Sequence, residues 1–252
     1  MIRWTYAFID RSHDRFPQAY AFWATVTGAT PSQPRGPAGE FVTLLPAGPA
    51  DAHVKAQAVG GPGGAHLDFA VDDVVATARE ARGLGATAVY AEDGLEVLRS
   101  PGGRLFCVVP WAGETSRQAP VASPGGAFGR LDQVCLDIAP AAYDGEVAFW
   151  AAFTGWESVG TRLPEFHLVK PPRELPVRIL LQRLGTEGPG GAHLDVACLD
   201  IDGVRAWHES LGAQFVSQGV EWTVMRDPAG GTYCLTSRDP ETGDVASRGS
   251  AG

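Results

Sequence analysis

Apolar and polar residues alternate along the first part of the chain in a pattern that predicts short strands and two helices. Trp4–Asp10 and His66–Val71 are rich in β-prone residues and predict strands. Phe16–Thr27 has a proline in its first turn and a glycine just past its end, which predicts a helix. Asp73–Gly83 predicts a second helix, closed by Leu-Gly-Ala. Short extended segments complete the pattern: Phe41–Leu45, Val54–Val59, Ala88–Tyr90, Leu95–Arg99 and Leu105–Val109.

The same pattern occurs a second time. The segment Gly-Pro-Gly-Gly-Ala-His-Leu-Asp stands at Gly61–Asp68 and again at Gly188–Asp195. Other residues are separated by the same offset, among them Asp10 and Asp137, Phe22-Trp23 and Phe149-Trp150, and Cys107 and Cys234. One offset held over most of the chain indicates a single unit that is used twice.

Each unit runs strand, helix and several strands, and then repeats that order. The chain therefore contains four βαβββ modules, and strands grouped around single helices are typical of an α+β fold. We predict a first domain at 1–111 and a second at 129–237. Residues 112–128 between them are rich in Gly, Pro, Ser and Ala and predict a linker. The polar, glycine-rich residues 238–252 predict a flexible tail.

Composition narrows the classes of partner. The net charge of −9, without clustered Lys and Arg, argues against nucleic acid. No apolar stretch is long enough for a membrane helix, and the N-terminus lacks the layout of a secretion signal. The four cysteines are far apart and are interpreted as reduced, buried thiols. We expect a cytoplasmic protein without a membrane partner.

Several motifs together resemble the vicinal oxygen chelate superfamily. They are Phe-Trp late in the first helix, His-Leu-Asp opening the second module, Leu-Gly-Ala after the second helix, and a Pro-x-Gly turn before a final strand with Phe-Cys or Tyr-Cys. This superfamily contains glyoxalase I, bleomycin-resistance proteins and extradiol dioxygenases. The chain is most similar to its glyoxalase-like members with two tandem domains. The superfamily supports unrelated chemistries on one scaffold, so the resemblance is specific for fold.

The resemblance implies that each pair of modules forms a curved mixed sheet around a cavity, with the helices outside. In metal-using members, His and Glu side chains from the first and last strand of each module bind a divalent ion in that cavity. The matching positions of this chain are His66 and His193, Cys107 and Cys234, Gln57 and Gln182, and, on the first strands, Trp4, Tyr6 and Phe8 and then Leu131, Gln133 and Cys135.

These positions are poor in metal ligands. His66 and His193 are expected in different cavities, because each cavity draws on the modules of one unit. One His with one Gln and one thiol is unlike the donor sets of Zn, Ni, Mn or Fe sites. We therefore assign no cofactor. A divalent metal is disfavoured, with His66 and His193 as its candidate ligands, and glyoxalase I chemistry is not expected.

Strand alternation places His66 and Asp68 on the cavity side of their strand, and His193 and Asp195 likewise. The four side chains are candidate catalytic groups, with each Asp as a general base whose pKa burial would raise. The alternative is that both histidines are structural, hydrogen-bonded residues. The Phe-Trp pairs are interpreted as core. The candidate substrate-binding residues are Gln57, Gln182, Trp4, Tyr6, Gln133, Cys107 and Cys234.

Two functional hypotheses follow. The first is an enzyme of undetermined reaction that binds a small organic metabolite, with glyoxalase-like lyase or isomerase activity or an activity related to the dioxygenases. The second is a non-catalytic protein that sequesters an antibiotic or another small molecule, as bleomycin-resistance proteins do; an acidic chain suits a cationic guest. Because the first strands of the units differ, the two cavities should differ in size and polarity. The protein is expected to be a monomer with an internal pseudo-dimer, or a homodimer.

Overall fold

A computed structural model describes residues 1–245 and shows one mixed sheet in each unit. In the first unit the sheet order is β2-β3-β4-β1-β5-β8-β7-β6. Its elements in chain order are β1 (Ile2–Ser12), α1 (Phe16–Val26), β2 (Ala29–Pro31), β3 (Phe41–Pro46), β4 (Val54–Val59), β5 (Gly64–Val71), α2 (Val74–Gly83), β6 (Thr87–Glu92), β7 (Leu95–Arg99) and β8 (Leu105–Pro110).

The second unit repeats this arrangement with the order β11-β12-β13-β10-β14-β17-β16-β15. A short strand before it, β9 (Val121–Ala122), pairs with β10. The other elements are β10 (Phe128–Ile138), α3 (Tyr143–Thr154), β11 (Glu157–Gly160), β12 (Phe166–Lys170), β13 (Arg178–Arg183), β14 (Gly191–Cys198), α4 (Ile201–Ser210), β15 (Gln214–Gln218), β16 (Trp222–Arg226) and β17 (Thr232–Ser237).

The predicted α+β class and the four βαβββ modules are confirmed. The sequence pattern missed β2, because three residues are too few to show an alternation. Helix α2 begins after Asp73, whose side chain accepts a hydrogen bond from the Ala76 amide and caps the helix. Among residues 1–245, no helix is long and apolar enough to cross a membrane.

The first strand of each unit is the middle strand of its sheet and joins the two modules. Strand β1 pairs in parallel with β4 and antiparallel with β5. Phe8 therefore has Lys55 as its partner on one side and His66 on the other. Strand β10 pairs with β13 and β14 in the same way. Any inward side chain of the central strand thus has a neighbour from each module.

The Phe-Trp pairs lie in the core, as predicted, but they also join the two units. Trp150 of α3 packs on Phe106 of the first unit, with ring centroids 5.1 Å apart. Trp23 of α1 packs on Tyr233 of the second unit at the same centroid separation of 5.1 Å. The Trp23 indole also donates a hydrogen bond to Asp227, at 3.0 Å. Aromatic burial and buried hydrogen bonds therefore hold the units together.

Residue 238 does not begin a free tail. The Arg238 guanidinium is buried and donates to both carboxylate oxygens of Asp132, at 2.6 and 2.8 Å. The prediction of a flexible tail is therefore wrong at its start, because a buried charge must keep its partner. The rest of that prediction, residues 246–252, lies outside the described residues. Arg117, in the predicted linker, donates to the backbone oxygens of Arg173 and Glu241.

The repeated glycine segment is explained by a close approach of two backbones. A Cβ atom at Gly63 would lie 2.2 Å from the backbone oxygen of Asp10, and Gly63 has a φ of +80°. A Cβ atom at Gly190 would lie 1.9 Å from the backbone oxygen of Asp137. A Cβ at Gly188 would meet nothing within 4 Å. Gly63 and Gly190, the third residue of the repeated segment in each unit, therefore let the turn lie directly against the central strand.

We expect Gly63→Ala and Gly190→Ala each to lower the free energy of unfolding by about 2 kcal/mol, through steric strain and, at Gly63, a left-handed backbone. Urea denaturation measures this change. Gly188→Ala is the matched control and should leave the stability nearly unchanged. Equal stability of all three variants would contradict the packing of the turn described here.

Candidate functional site

Each sheet encloses one cavity, and the two differ in size as expected. The first cavity has a volume of about 690 Å³ and is lined by His66, Asp68, Gln57 and Cys107. The second measures about 360 Å³. His193, Asp195, Gln182, Gln133 and Cys234 all lie in its wall. The two histidines are thus in separate cavities.

His66 is held on three sides. Its Nδ1 lies 2.7 Å from Oδ2 of Asp10, and its Nε2 lies 3.5 Å from Oδ1 of Asp68. The ring of Phe8 stacks on the imidazole, with centroids 4.4 Å apart and an interplanar angle of 19°. All of these neighbours belong to β1 or β5, so the sheet register itself fixes the orientation of the ring.

The carboxylates around His66 favour its charged form. Burial alone would lower the pKa of His66, but Asp10 and Asp68 outweigh that effect and raise the pKa well above its ordinary value. Burial raises the pKa of the neighbouring Cys107 thiol to about 11, so this thiol stays protonated.

The histidine of the second unit also lies between two carboxylates, and its contact to the first of them is longer. His193 Nδ1 lies 3.2 Å from Asp137, and its Nε2 lies 3.5 Å from Asp195. Burial opposes the charged ring, whereas the hydrogen bond with Asp137 raises the pKa of His193. Burial also raises the pKa of Asp195, as expected for a half-dry cavity, and Gln133 donates a hydrogen bond to this carboxylate.

Two predicted substrate-binding residues lie outside the cavity wall. Trp4 is buried, and its indole donates to the Ala52 carbonyl at 2.9 Å. Tyr6 is buried as well, and its hydroxyl donates to Glu114. Neither residue lines the first cavity. Both point to the same side of β1 as Phe8, but the segment after β8 covers that end of the sheet.

Sequence reasoning missed three residues of the first cavity. Asp10, which makes the shortest contact to His66, shares the repeat offset with Asp137 and lies two residues along the strand from Phe8. These two signals together could have identified it. Lys55 and Arg35 also line the cavity. The repeat does not mark Lys55, because the second unit has Leu180 opposite Cys135, where the first has Lys55 opposite Phe8.

Three buried carboxylate oxygens have no hydrogen-bond partner within residues 1–245. They are Oδ1 of Asp10, of Asp68 and of Asp195. Buried oxygens of this kind normally accept a hydrogen bond from a ligand or from water. The Asp68 and Asp195 oxygens lie beside the Nε2 atoms of His66 and His193, so each cavity has an acceptor and a donor next to each other.

The first cavity brings a nitrogen of His66, an oxygen of Asp68 and the sulfur of Cys107 within 4.8 Å of one another, but two neighbouring side chains disfavour a divalent ion there. Phe8 stands opposite His66 on the central strand, and its ring covers one face of the imidazole. The Lys55 ammonium lies 5.7 Å from the centre of the same ring and would repel a cation. The second cavity has Cys135 at the Phe8 position, but burial raises the pKa of that thiol to about 12. These thiols and imidazoles would have to lose a proton to bind a metal ion, which lowers the affinity of both sites for such an ion at neutral pH.

Comparison with known proteins agrees with this fold. The profile of a family described as "Glyoxalase-like domain" matches residues 7–109 and 133–236. The chain therefore belongs to the glyoxalase-like family of the vicinal oxygen chelate superfamily, with two tandem domains. A sequence search of curated proteins found no match.

Solved structures show the same fold at low sequence identity. A Mn(II)-bound glyoxalase from Novosphingobium aromaticivorans is 18% identical with a TM-score of 0.66, covering 95% of this chain and 82% of that one. A 2,2',3-trihydroxybiphenyl 1,2-dioxygenase from Sphingomonas wittichii is 15% identical with a TM-score of 0.59, covering 94% and 90%. A 2,3-dioxygenase from a Pseudomonas species is 13% identical with a TM-score of 0.62, covering 92% and 90%.

We expect Asp10→Asn to lower protein stability in a pH-dependent way. Asp10 raises the pKa of His66, so the stability that it contributes is present below the ordinary histidine pKa and is lost as pH rises through the raised pKa. Urea denaturation at about pH 6 should show a loss of about 2 kcal/mol that shrinks as the pH rises through the raised pKa of His66. Asp93→Asn, in an exposed turn, is the control. A loss that does not change with pH would contradict the ion pair.

Proposed function

We propose that this protein is a glyoxalase-like enzyme that transfers protons on a small organic metabolite in its first cavity, without a resident hard metal ion. One observation carries this proposal: the pair formed by His66 and Asp10 at 2.7 Å, with the other imidazole nitrogen turned toward Asp68. A charged, oriented imidazole next to an unpartnered carboxylate oxygen is an acid beside a base.

The chemistry that fits this pair is the shift of a proton next to a carbonyl group. Asp68 would accept the proton from the carbon, and His66 Nε2 would donate a hydrogen bond or a proton to the carbonyl oxygen as charge develops there. On a 2-hydroxycarbonyl compound, Asp68 would then return its proton to the former carbonyl carbon, while the adjacent hydroxyl group gives its proton to His66. This yields the isomer and restores both side chains. Asp10 keeps His66 charged and oriented, and so acts as a positioning residue.

Gln57 would orient the substrate. It is the strand partner of Asp10 on β4 and lines the same cavity. Its amide can donate and accept, which suits a ligand with a carbonyl or hydroxyl group. This role needs no metal and agrees with the poor fit of the first cavity to a divalent ion.

The second cavity favours a different function, the capture of an aromatic compound. Trp222 and Phe166 meet edge to face in its wall, with ring centroids 5.4 Å apart. Leu163, Leu168 and Leu180 extend this apolar surface. Apolar pockets with a few polar groups bind small organic molecules. Sequestration of such a compound, as in bleomycin-resistance proteins, is the alternative function.

We also propose a cytoplasmic protein, monomeric or homodimeric, that has no nucleic-acid or membrane partner. Four free cysteines support a reducing compartment. The internal pairing of the two units already buries the aromatic faces of α1 and α3, so a second copy is not needed to cover them.

A ligand screen followed by proton-exchange NMR tests the enzyme proposal. Metabolites and antibiotics that raise the melting temperature would be incubated with the protein in D2O. We expect exchange or conversion that His66→Gln reduces at least about a hundredfold, as for loss of an acid–base group. His193→Gln, the matched control in the other cavity, should retain activity.

Two results would contradict the enzyme proposal. A stabilising ligand recovered unchanged and without exchange would favour the sequestering alternative. Stoichiometric Zn, Ni, Mn or Fe in protein prepared without a histidine tag, lost when both histidines are replaced by alanine, would restore a metal-dependent mechanism.

A further inference from the structure

We infer that the first cavity takes a small organic acid, and that Lys55 and Arg35 hold its carboxylate. This inference rests on the proposed function of the same cavity and adds the class of substrate to it. The argument depends on one row of residues that crosses the sheet of the first unit, and on the corresponding row of the second unit.

Four residues form this row on neighbouring strands. Thr43 on β3 pairs with Lys55 on β4, Lys55 pairs with Phe8 on β1, and Phe8 pairs with His66 on β5. Partners in register project from the same side of a sheet. Arg35 joins the row because its guanidinium donates to the Thr43 hydroxyl at 2.8 Å. The row therefore places two cations at one end and the acid–base histidine at the other.

Neither Lys55 nor Arg35 forms a close ion pair with a carboxylate of residues 1–245. Burial lowers the pKa of Lys55, and Asp68 and Glu114 oppose that effect from a longer distance. The Lys55 ammonium lies over the Tyr6 ring, 3.4 Å from its centroid, and within residues 1–245 it makes no side-chain hydrogen bond or ion pair. Arg35 donates only to hydroxyl groups, those of Ser32 and Thr43. Cations without a close ion-pair partner at a cavity attract an anion. Partial burial strengthens that attraction at Lys55, whereas Arg35 is exposed.

The same row in the second unit has no lysine or arginine. There Leu168 on β12 pairs with Leu180 on β13, Leu180 pairs with Cys135 on β10, and Cys135 pairs with His193 on β14. The histidine is kept, whereas the lysine position is leucine. Arg162, Arg178 and Arg238 line the second cavity, but each lies beside a carboxylate, that of Glu221 or of Asp132. Lys55 and Arg35 have no such partner within 4 Å among residues 1–245, which indicates that the two cavities bind different ligands.

The spacing of the row limits the size of the acid. Lys55 and His66 are on strands that flank β1, so their backbones are about 10 Å apart. A ligand of a few carbon atoms would place a carboxylate at Lys55 and Arg35, its chain over the Phe8 ring, and a carbonyl or hydroxyl group at His66. Although the chain is acidic as a whole, this cavity selects an anion, contrary to the cationic guest that the net charge suggests.

The protein has only two lysines, Lys55 and Lys170, which makes the test direct. Protein with ¹³C-labelled lysine side chains would be titrated with 2-oxobutanoate, 2-hydroxybutanoate and malonate, and with the primary amides of the same acids. We expect at least one acid to shift the Lys55 signal, while the Lys170 signal and all amide titrations stay unchanged. Lys170→Leu assigns the signals and serves as the surface control.

Replacing Lys55 by the residue of the second unit completes the test. Lys55→Leu should weaken binding of that acid at least about tenfold, and Lys55→Arg should retain most of it. Arg35→Met, at the mouth of the cavity, is a second variant that leaves the core intact. The inference is overturned if no acid shifts the Lys55 signal, if amides bind as well as acids, or if Lys55→Leu and Arg35→Met bind normally. Acid binding that depends on Lys55, without proton exchange, would leave this inference standing and remove the proposed enzyme activity.

Discussion

The position of one strand in each sheet determines the site. Strand β1 lies between β4 and β5, so each of its inward residues meets a side chain from both modules. Phe8 separates Lys55 from His66, and Asp10 reaches His66 because its own partner on β5 is Gly64, which has no side chain. The glycine turn before β5 must lie against the Asp10 backbone to allow this register. The sheet topology and the glycines of the turn therefore allow Asp10 to contact His66, and this contact favours the charged form of the histidine.

Most of the fold could be predicted from the sequence, because the repeat provides each element twice. The exceptions have local physical reasons. Strand β2 is too short to show a pattern. Arg238 follows a strand in a polar segment, and only the three-dimensional structure shows that it pairs with Asp132, which is distant in sequence. The sequence also did not predict that α1 packs on the second unit and α3 on the first, because an amphipathic pattern does not indicate which sheet a helix covers.

The site was only half predictable. His66, Asp68, Gln57 and Cys107 line the first cavity as their strand positions suggested, because alternation along a strand is a reliable guide to its faces. Alternation along β4 also puts Lys55 on the face of Gln57, whereas Arg35 lies between β2 and β3, where no alternation indicates a face. Because the unit is duplicated, corresponding positions of the two cavities can be compared directly. Two units with the same histidine frame but a cationic row in one and an apolar row in the other indicate two cavities with separate ligands.

The central claim is that His66 is a cation held by Asp10 and not a metal ligand. ¹H–¹⁵N correlation spectra of the imidazole ring, assigned with His66→Gln, test this most directly. At about neutral pH both ring nitrogens of His66 should carry protons. Addition of one equivalent of Mn²⁺ should leave the His66 signals in place without broadening. A ring with only one protonated nitrogen, whose signals disappear on addition of Mn²⁺, would contradict the account.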